Sequence, residues 1–165
     1  MIENSGTNRI CKIELDEKSI IRRSAEIEHE RRVAIFDLLE TNHFAPKIPL
    51  PNDYPGPFHV TLRMEDNRLA IELKTEDEQD LTKIVVPLSP LRRVIKEYFI
   101  VCDSYYSAIN VAPPRQLEAI DLGRRSLHNE GSQILQDRYA DKIDIDFETA
   151  RRLFTLICVL QIRTY

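Results

Sequence analysis

Four polar residues at helical spacing form the most informative chemical pattern in the chain. They follow one another at intervals of three or four positions and comprise Asp121, Arg124, His128 and Ser132. Residues at this spacing share one face of an α-helix. The guanidinium of arginine stays charged at physiological pH and holds a carboxylate or phosphate through two parallel hydrogen bonds. We therefore interpret the four residues as a candidate pocket for a small anion, with Gly131 allowing close approach.

Two arginines interrupt apolar stripes, and a buried guanidinium needs an anionic or carbonyl partner. Arg124 interrupts the stripe that contains Leu117, Ile120, Leu127, Gly131 and Ile134. Arg31 interrupts the stripe that contains Ile27, Ala34 and Leu38. Asp121 precedes Arg124 by three positions and supplies the partner if the role of Arg124 is structural. If the role is functional, the partner is a bound anion, and Arg31 joins the candidate site.

A small enzyme that acts on an anionic substrate is the second interpretation, with His128 as acid or base and Arg124 as clamp. Histidine, serine and aspartate are the residue types of a base, its nucleophile and an orienting acid. On one helix, however, successive turns are about 5.4 Å apart, whereas such triads converge from separate segments. Ser132 also lacks the G-x-S-x-G turn of a nucleophile elbow. Catalysis would therefore need groups from other segments, for which the candidates are Arg92, Tyr105 and Arg151.

Metal and cofactor chemistry have little support in the sequence. Glu26 and His29 have the E-x-x-H spacing of di-iron helical bundles, but those sites need a second such motif, which the sequence lacks. The three cysteines form no C-x-x-C pair, and the four glycines include no phosphate-binding loop. We therefore predict no metal site and no cofactor.

Arginine dominates the basic residues and forms five doublets, at 22–23, 31–32, 92–93, 124–125 and 151–152. Neighbouring residues on a helix project about 100° apart, so one arginine of a doublet can face inward while the other faces solvent. The simpler interpretation is ion pairing with the 27 acidic residues. The functional interpretation is a face that binds a small anion or an acidic protein.

Composition limits the class of protein. The net charge of −4 over 165 residues argues against a nucleic-acid surface. The longest apolar stretch, 153–162, is far shorter than the roughly 20 residues of a membrane-spanning helix, so we predict no membrane partner. An odd number of cysteines and the lack of a secretory signal favour the cytoplasm. We expect one soluble domain over residues 1–165.

Hydrophobic periodicity predicts the elements that position these residues. Alternation of apolar and polar residues predicts four strands, of which the middle two form a hairpin: 9–15, 58–64, 69–73 and 81–88. A period of 3.6 predicts four helices, three of them capped by Ser24, Ser89 and Asp146: 24–42, 89–109, 115–139 and 146–162. Five prolines predict an extended loop at about 43–57. The fold class is therefore α+β, with a small mainly antiparallel sheet, a hairpin plus flanking strands, packed against about four helices.

The first predicted helix has apolar residues on two sides. Val33 and Phe36 point away from its main apolar stripe. Either the proline-rich loop covers them, through His43, Phe44 and Tyr54, or they form a surface for a homodimer or another partner. The second alternative admits a third function, that of a purely structural homo-oligomeric subunit.

Five stretches of the sequence resemble a known family. They are RRSAEIEHERRVAIFDLLETNHFAP, EDNRLAIEL, SPLRRVIKEYFIVCDSYYSAI, EAIDLGRRSLHNEGSQ and ARRLFTLICVL. Together they resemble the bacterial uncharacterised protein family 0262 over nearly the whole chain. The resemblance implies a bacterial cytoplasmic protein and assigns no activity, cofactor or catalytic residue. From the residues themselves, the leading hypothesis is a non-catalytic binding or regulatory module for a small anion or acidic partner.

Overall fold

The computed structural model of the protein describes residues 7–16 and 24–161. In chain order the elements are β1 (Ile10–Leu15), α1 (Ala25–Glu40), β2 (Phe44–Pro46), β3 (Phe58–Glu65), β4 (Arg68–Lys74), β5 (Asp80–Pro87), α2 (Ser89–Ala108), α3 (Pro114–Arg138), β6 (Ile143–Ile145) and α4 (Phe147–Gln161). Every predicted strand and helix is found within two residues of its predicted bounds. The α+β class is therefore confirmed.

Two of the three predicted helix caps are present. Ser24 accepts a hydrogen bond from the backbone amide of Ile27 at 3.2 Å, and Asp146 accepts one from that of Thr149 at 2.9 Å. The prediction that Ser89 caps α2 is wrong. The N-cap residue of α2 is Leu88, which has helical backbone angles and whose carbonyl accepts a hydrogen bond from the amide of Leu91. Ser89 is therefore the first residue within the helix, and no side chain caps this end.

The main sheet has the strand order β1-β3-β4-β5. The predicted hairpin is confirmed: β3 and β4 pair antiparallel from His59–Lys74 to Glu65–Arg68. Asp66 turns the chain with a positive φ of 57°, a conformation that aspartate tolerates better than most residues. β5 adds antiparallel to β4, whereas β1 adds parallel to β3. Two parallel strands need a long crossover connection. Here α1 and the proline-rich segment form the connection from β1 to β3.

The proline-rich segment is more ordered than the predicted extended loop. Its first residues form β2, which pairs antiparallel with β6 in a separate two-stranded sheet. Phe44 is buried in the core with its ring 5.8 Å from that of Phe58. Pairing between segments about 100 residues apart leaves no periodic signal in three residues, and for this reason β2 and β6 were not predicted.

The helix α4 is the centre of the helical layer. It packs against α1, α3 and β3, and nine of its residues are buried: Thr149, Ala150, Leu153, Phe154, Leu156, Ile157, Cys158, Val159 and Leu160. The helix α3 packs between α2 and α4 and runs unbroken through Gly123 and Gly131. No helix within the described ranges is long and apolar enough to cross a membrane.

The side chain of Asn42 holds the free edge of β1. Its Oδ1 accepts from the amide of Ile10 at 2.7 Å, and its Nδ2 donates to the carbonyls of Ile10 at 3.1 Å and Leu38 at 2.8 Å. Ile10 is fully buried, so its backbone groups cannot turn to water instead. We expect Asn42→Ala to lower the free energy of unfolding by about 2 kcal/mol, the cost of leaving buried backbone groups unsatisfied.

Urea denaturation at pH 7 measures this loss. Asn110 is exposed in the turn after α2, so Asn110→Ala is the matched control and should change stability by less than about 0.5 kcal/mol. Equal losses in the two variants would show that the Asn42 contacts contribute nothing specific.

Candidate anion-binding cleft

The four helices line one open cleft of about 390 Å³, which we call the helical cleft. One side is the arginine wall, formed on α3 and α4 by Arg124, Arg125, Arg151 and Arg152. The other side is the acidic wall, formed on α1 by Glu30 and Asp37 with Val33 and Ala34 between them. The remaining lining residues are His29, Tyr98, His128 and Thr155. The volume lies at the lower end of the range for small-molecule sites, roughly 300–1,000 Å³.

Arg124 combines a structural partner with access to the helical cleft. Its Nη2 donates to Oδ1 of Asp121 at 2.6 Å, and its guanidinium carbon lies 4.2 Å from the centroid of the Tyr105 ring. Burial acts to lower the pKa of Arg124, but the hydrogen bond with Asp121 and nearby charges hold it above its usual value. The side chain keeps 23% of its surface exposed. A guanidinium has five N–H donors, so the Asp121 contact leaves donors for a ligand.

Asp121 serves two members of the arginine wall. In addition to Arg124, it pairs with Nε of Arg125 at 3.3 Å. Arg125 remains 66% exposed, and a pair at such exposure contributes little to stability. One carboxylate therefore neutralises two guanidiniums only in part.

The arginines of α4 are more loosely paired. Glu148 lies 3.8 Å from Nε of Arg151 and 3.7 Å from Nη2 of Arg152, and Asp37 lies 3.9 Å from Nε of Arg152. Charge-assisted hydrogen bonds have lengths of about 2.7–2.9 Å. These three contacts are therefore electrostatic and leave most of the guanidinium donors available.

Arg151 has a neutral partner as well. Its Nη1 donates to Oδ1 of Asn129 at 2.8 Å. Its Nε is buried and makes no hydrogen bond within the described part of the chain. An arginine that lines a cleft with a neutral amide and a distant carboxylate as neighbours carries a largely uncompensated positive charge.

His128 lines the helical cleft, and the charges of Arg124, Arg151 and Arg152 act on its ring. Its Nε2 lies 2.8 Å from Oγ1 of Thr155, and that hydroxyl lies 3.3 Å from the carbonyl of Arg151. Either atom can donate in the contact between Nε2 and Oγ1, since a nitrogen of the neutral imidazole donates or accepts according to the tautomer of the ring. The ring packs edgewise against Tyr98 and Phe154. Burial, with smaller contributions from neighbouring arginines, lowers the pKa of His128 to about 4, so the ring is neutral at pH 7.

The acidic wall faces these cations from a single helix. The carboxylate of Glu30 accepts a hydrogen bond from the hydroxyl of Tyr106, which is a neutral donor. Burial and this carboxylate raise the pKa of Tyr106, so the phenol keeps its proton. Glu30 and Asp37 are seven residues apart, or about 10.5 Å along the helix. The helical cleft is therefore bipolar rather than uniformly basic.

The structure places the five predicted site residues differently. Arg124 and His128 line the helical cleft, and Asp121 lies behind it as the partner of Arg124. Ser132 is fully buried, and its hydroxyl donates to the carbonyl of His128 at 2.7 Å. Arg31 is partly buried on α1 and is not among the residues that line the helical cleft.

The site predicted from the sequence contains only two of the twelve lining residues, Arg124 and His128. The sequence indicates Arg151 as a candidate only for the catalytic interpretation, and it marks Arg152 only as part of an arginine doublet. The doublet was nevertheless the available signal, since a second arginine pair on a neighbouring helix could complete a site. Glu30 and Asp37 carried a weaker signal, because acidic residues one or two turns apart are common on solvated helix faces.

Val33 and Phe36 are exposed in the single chain, by 41% and 64%. Phe44, which was a candidate to cover them, instead packs in the core against Phe58. The predicted homodimer surface on this side of α1 stays a prediction.

The described residues contain no group of side chains that could bind a metal ion. His29 lines the helical cleft near Glu30, whereas Glu26 is exposed in the first turn of α1. Among residues 7–16 and 24–161, no three histidine, cysteine, aspartate or glutamate side chains are grouped so that they could hold a metal ion.

Comparison with known proteins places the chain in a family. Residues 7–163 match the model of the Uncharacterised protein family (UPF0262). The chain belongs to this family. It is 52% identical to a UPF0262 protein of Paramagnetospirillum magneticum over 94% of the chain and 96% of the relative. It is 48% identical to a UPF0262 protein of Rhodospirillum rubrum over 98% and 97% of the two chains.

A UPF0262 protein of Agrobacterium fabrum is 50% identical over 94% of the chain and 96% of the relative. No solved structure matches the chain. The UPF0262 match spans all four helices that line the helical cleft.

Proposed function

We propose that this UPF0262 protein is a non-catalytic binding module whose helical cleft holds a small anionic molecule. The observation that carries the proposal is the arginine wall, in which two helices bring four guanidiniums to one cleft. Three carboxylates pair with these four guanidiniums, and two of the three are each shared between two arginines. A carboxylate or phosphate group of a ligand would supply the bidentate partner that the shared carboxylates do not.

The lining also supports a ligand with an apolar part. Val33, Ala34 and the Tyr98 ring lie along the same cleft. Small-molecule sites combine mostly apolar walls with a few polar groups that fix orientation. A small organic acid or phosphate ester fits this lining better than an extended acidic protein segment, because the site is a cleft among four helices and not a flat face.

The enzyme alternative is favoured by one observation and opposed by another. His128 and Arg151 do converge from different helices, as a catalytic site would need. With its pKa lowered to about 4, however, His128 is not in the acidic imidazolium form at pH 7 and is a weak base. Groups that transfer protons efficiently have a pKa near the working pH. We therefore favour binding without turnover.

We infer that the module works in the cytoplasm. The three cysteines are free thiols, and Cys102 and Cys158 are buried in the core. Burial raises the pKa of Cys102 to about 11, which makes it an unreactive core residue. Free buried thiols are typical of proteins from reducing compartments.

Inorganic phosphate, sulfate and succinate are the probes that test the proposal. At 10 mM and constant ionic strength, at least one of them should raise the melting temperature of the wild type, because a ligand that binds only the folded state stabilises it. Arg151→Gln should weaken the affinity of that probe about tenfold or more, the value of one charge-assisted contact. Isothermal titration calorimetry measures this affinity.

Arg115→Gln is the matched control. Arg115 is exposed near the start of α3, and its substitution changes the net charge by the same amount without touching the helical cleft. If Arg115→Gln weakens binding as much as Arg151→Gln, the attraction is a general charge effect and the proposed site is wrong. The absence of a thermal shift with all three probes, and with glutarate, L-glutamate and L-aspartate as well, would contradict the proposed function.

A further inference from the structure

The bipolar lining of the helical cleft limits the chemistry of its ligand. A site for a simple anion needs only positive charge, and acidic groups facing the ligand oppose its binding. Here Glu30 and Asp37 both line the cleft that the arginine wall lines. The ligand must therefore lie between groups of opposite sign.

The two carboxylates of the acidic wall differ in their partners. Asp37 already lies 3.9 Å from the guanidinium of Arg152. Glu30 is half-buried, and its hydrogen-bond partner is the neutral hydroxyl of Tyr106. A hydroxyl satisfies one carboxylate oxygen without neutralising the charge, so Glu30 is the carboxylate that a cationic group would stabilise most.

Arg124 is the residue of the arginine wall that acts on the same side chains as Glu30. Both residues line the helical cleft, and the charges of both act on two side chains of α2, the partly buried Tyr106 and the buried Cys102. A ligand can therefore place an acidic group on the arginine wall and a cationic group beside Glu30 at the same time.

We propose, on the basis of the proposed function, that the ligand is an amino acid or a similar small zwitterion, with its acidic groups on Arg124 and Arg151 and its ammonium group on Glu30. Val33 and Ala34 form the apolar surface beside the carbon skeleton. Glu30 thus serves as the element of specificity, since it favours an amine-bearing acid over the same acid without the amine.

Glutarate and L-glutamate form the decisive pair of probes, because they share a carbon skeleton and two carboxylates and differ by one ammonium group. The affinity of each for the wild-type protein is measured by isothermal titration calorimetry at pH 7.5 and one ionic strength. A uniformly basic site prefers glutarate, which has the larger net negative charge. The proposal predicts the reverse, with L-glutamate bound about fivefold more tightly, as for one partly exposed ion pair. Succinate and L-aspartate provide a second pair of the same design.

Glu30→Gln locates the ammonium group. The glutamine keeps an oxygen that accepts from the Tyr106 hydroxyl, so the fold is retained while the charge is lost. In this variant the preference for L-glutamate over glutarate should fall to about one. Glu40→Gln is the matched control, because Glu40 is exposed at the end of the same helix and does not line the helical cleft, and this variant should keep the preference. Circular dichroism confirms that both variants are folded.

The outcomes separate this proposal from the proposed function. Equal binding of the two probes by the wild type, or tighter binding of glutarate, overturns the zwitterion and leaves an anion site in place. Retention of the preference in Glu30→Gln, or its loss in Glu40→Gln, overturns the role of Glu30. If phosphate, sulfate and all four organic acids fail to bind, the anion site itself is wrong.

Discussion

Gly131→Ala should lower the free energy of unfolding by about 2 kcal/mol, although alanine is the better helix former. A Cβ atom at Gly131 would lie 2.3 Å from Cε1 and Cζ of Phe154, well inside contact distance. Phe154 is fully buried on α4, and the rings of Tyr98 and His128 pack edgewise against it. The expected loss is the strain of forcing α3 and α4 apart, reduced by a gain of about 0.5–1 kcal/mol from replacing a helical glycine.

Gly123 is the matched control on the same helix. A Cβ atom there meets nothing within 4 Å, so Gly123→Ala should instead raise the free energy of unfolding by about 0.5–1 kcal/mol. Urea denaturation of the two variants at pH 7 gives both values. If Gly131→Ala were as stable as Gly123→Ala, the close approach of α3 to α4 would be incorrect.

The same substitution bears on the helical cleft. The ring of Phe154 lies edgewise against that of His128, with 5.2 Å between their centroids. A displaced Phe154 would therefore move His128 and change the spacing between the arginines of α3 and those of α4. We infer that Gly131 sets the width of the arginine wall by allowing the two helices to pack closely.

Gly131 also shows what the sequence could and could not predict. Its place on the inward stripe of α3 was predicted from the helical period, and so was close approach at this position. The predicted approach was that of an anion, whereas the structure places the Phe154 ring there. Periodicity identifies the face of a helix that is covered, but it carries no information on which other helix covers it.

The same limit explains why the sequence predicted only part of the candidate site. The period of α3 placed Arg124 with Asp121, and that pair is present at 2.6 Å, because contacts within one helix depend on spacing alone. Arg151 and Glu30 belong to other helices, and their convergence with Arg124 depends on how α1, α3 and α4 pack. Single-sequence reasoning therefore identified one wall of the helical cleft in part and missed the other.

His128 gives the second large prediction, a loss of stability in mild acid. In the unfolded chain its imidazole takes up a proton below about pH 6.5, but in the folded protein, where burial lowers the pKa, it does so only below about pH 4. Between these values the unfolded state binds more protons, so stability falls as the pH falls. His128 should account for a loss of about 2 kcal/mol between pH 7 and pH 5, and its contribution is fully present above about pH 6.5.

Other groups also titrate in acid, so the prediction concerns a difference between variants. His128→Phe keeps a ring between Tyr98 and Phe154 and removes the titration, so its stability should change about 2 kcal/mol less than that of the wild type between pH 7 and pH 5. His29→Gln is the control, because His29 is an exposed histidine of the same cleft, and it should retain the wild-type loss. Urea denaturation at the two pH values measures all three proteins.

An independent measurement reads the protonation of His128 directly. Nuclear magnetic resonance of the imidazole nitrogens should show a neutral ring at pH 7 and a midpoint near pH 4. A midpoint near the ordinary value of about 6.5 would contradict both the burial of the ring and the positive field of the arginine wall. It would also reopen the catalytic alternative, since His128 would then exchange protons near neutral pH.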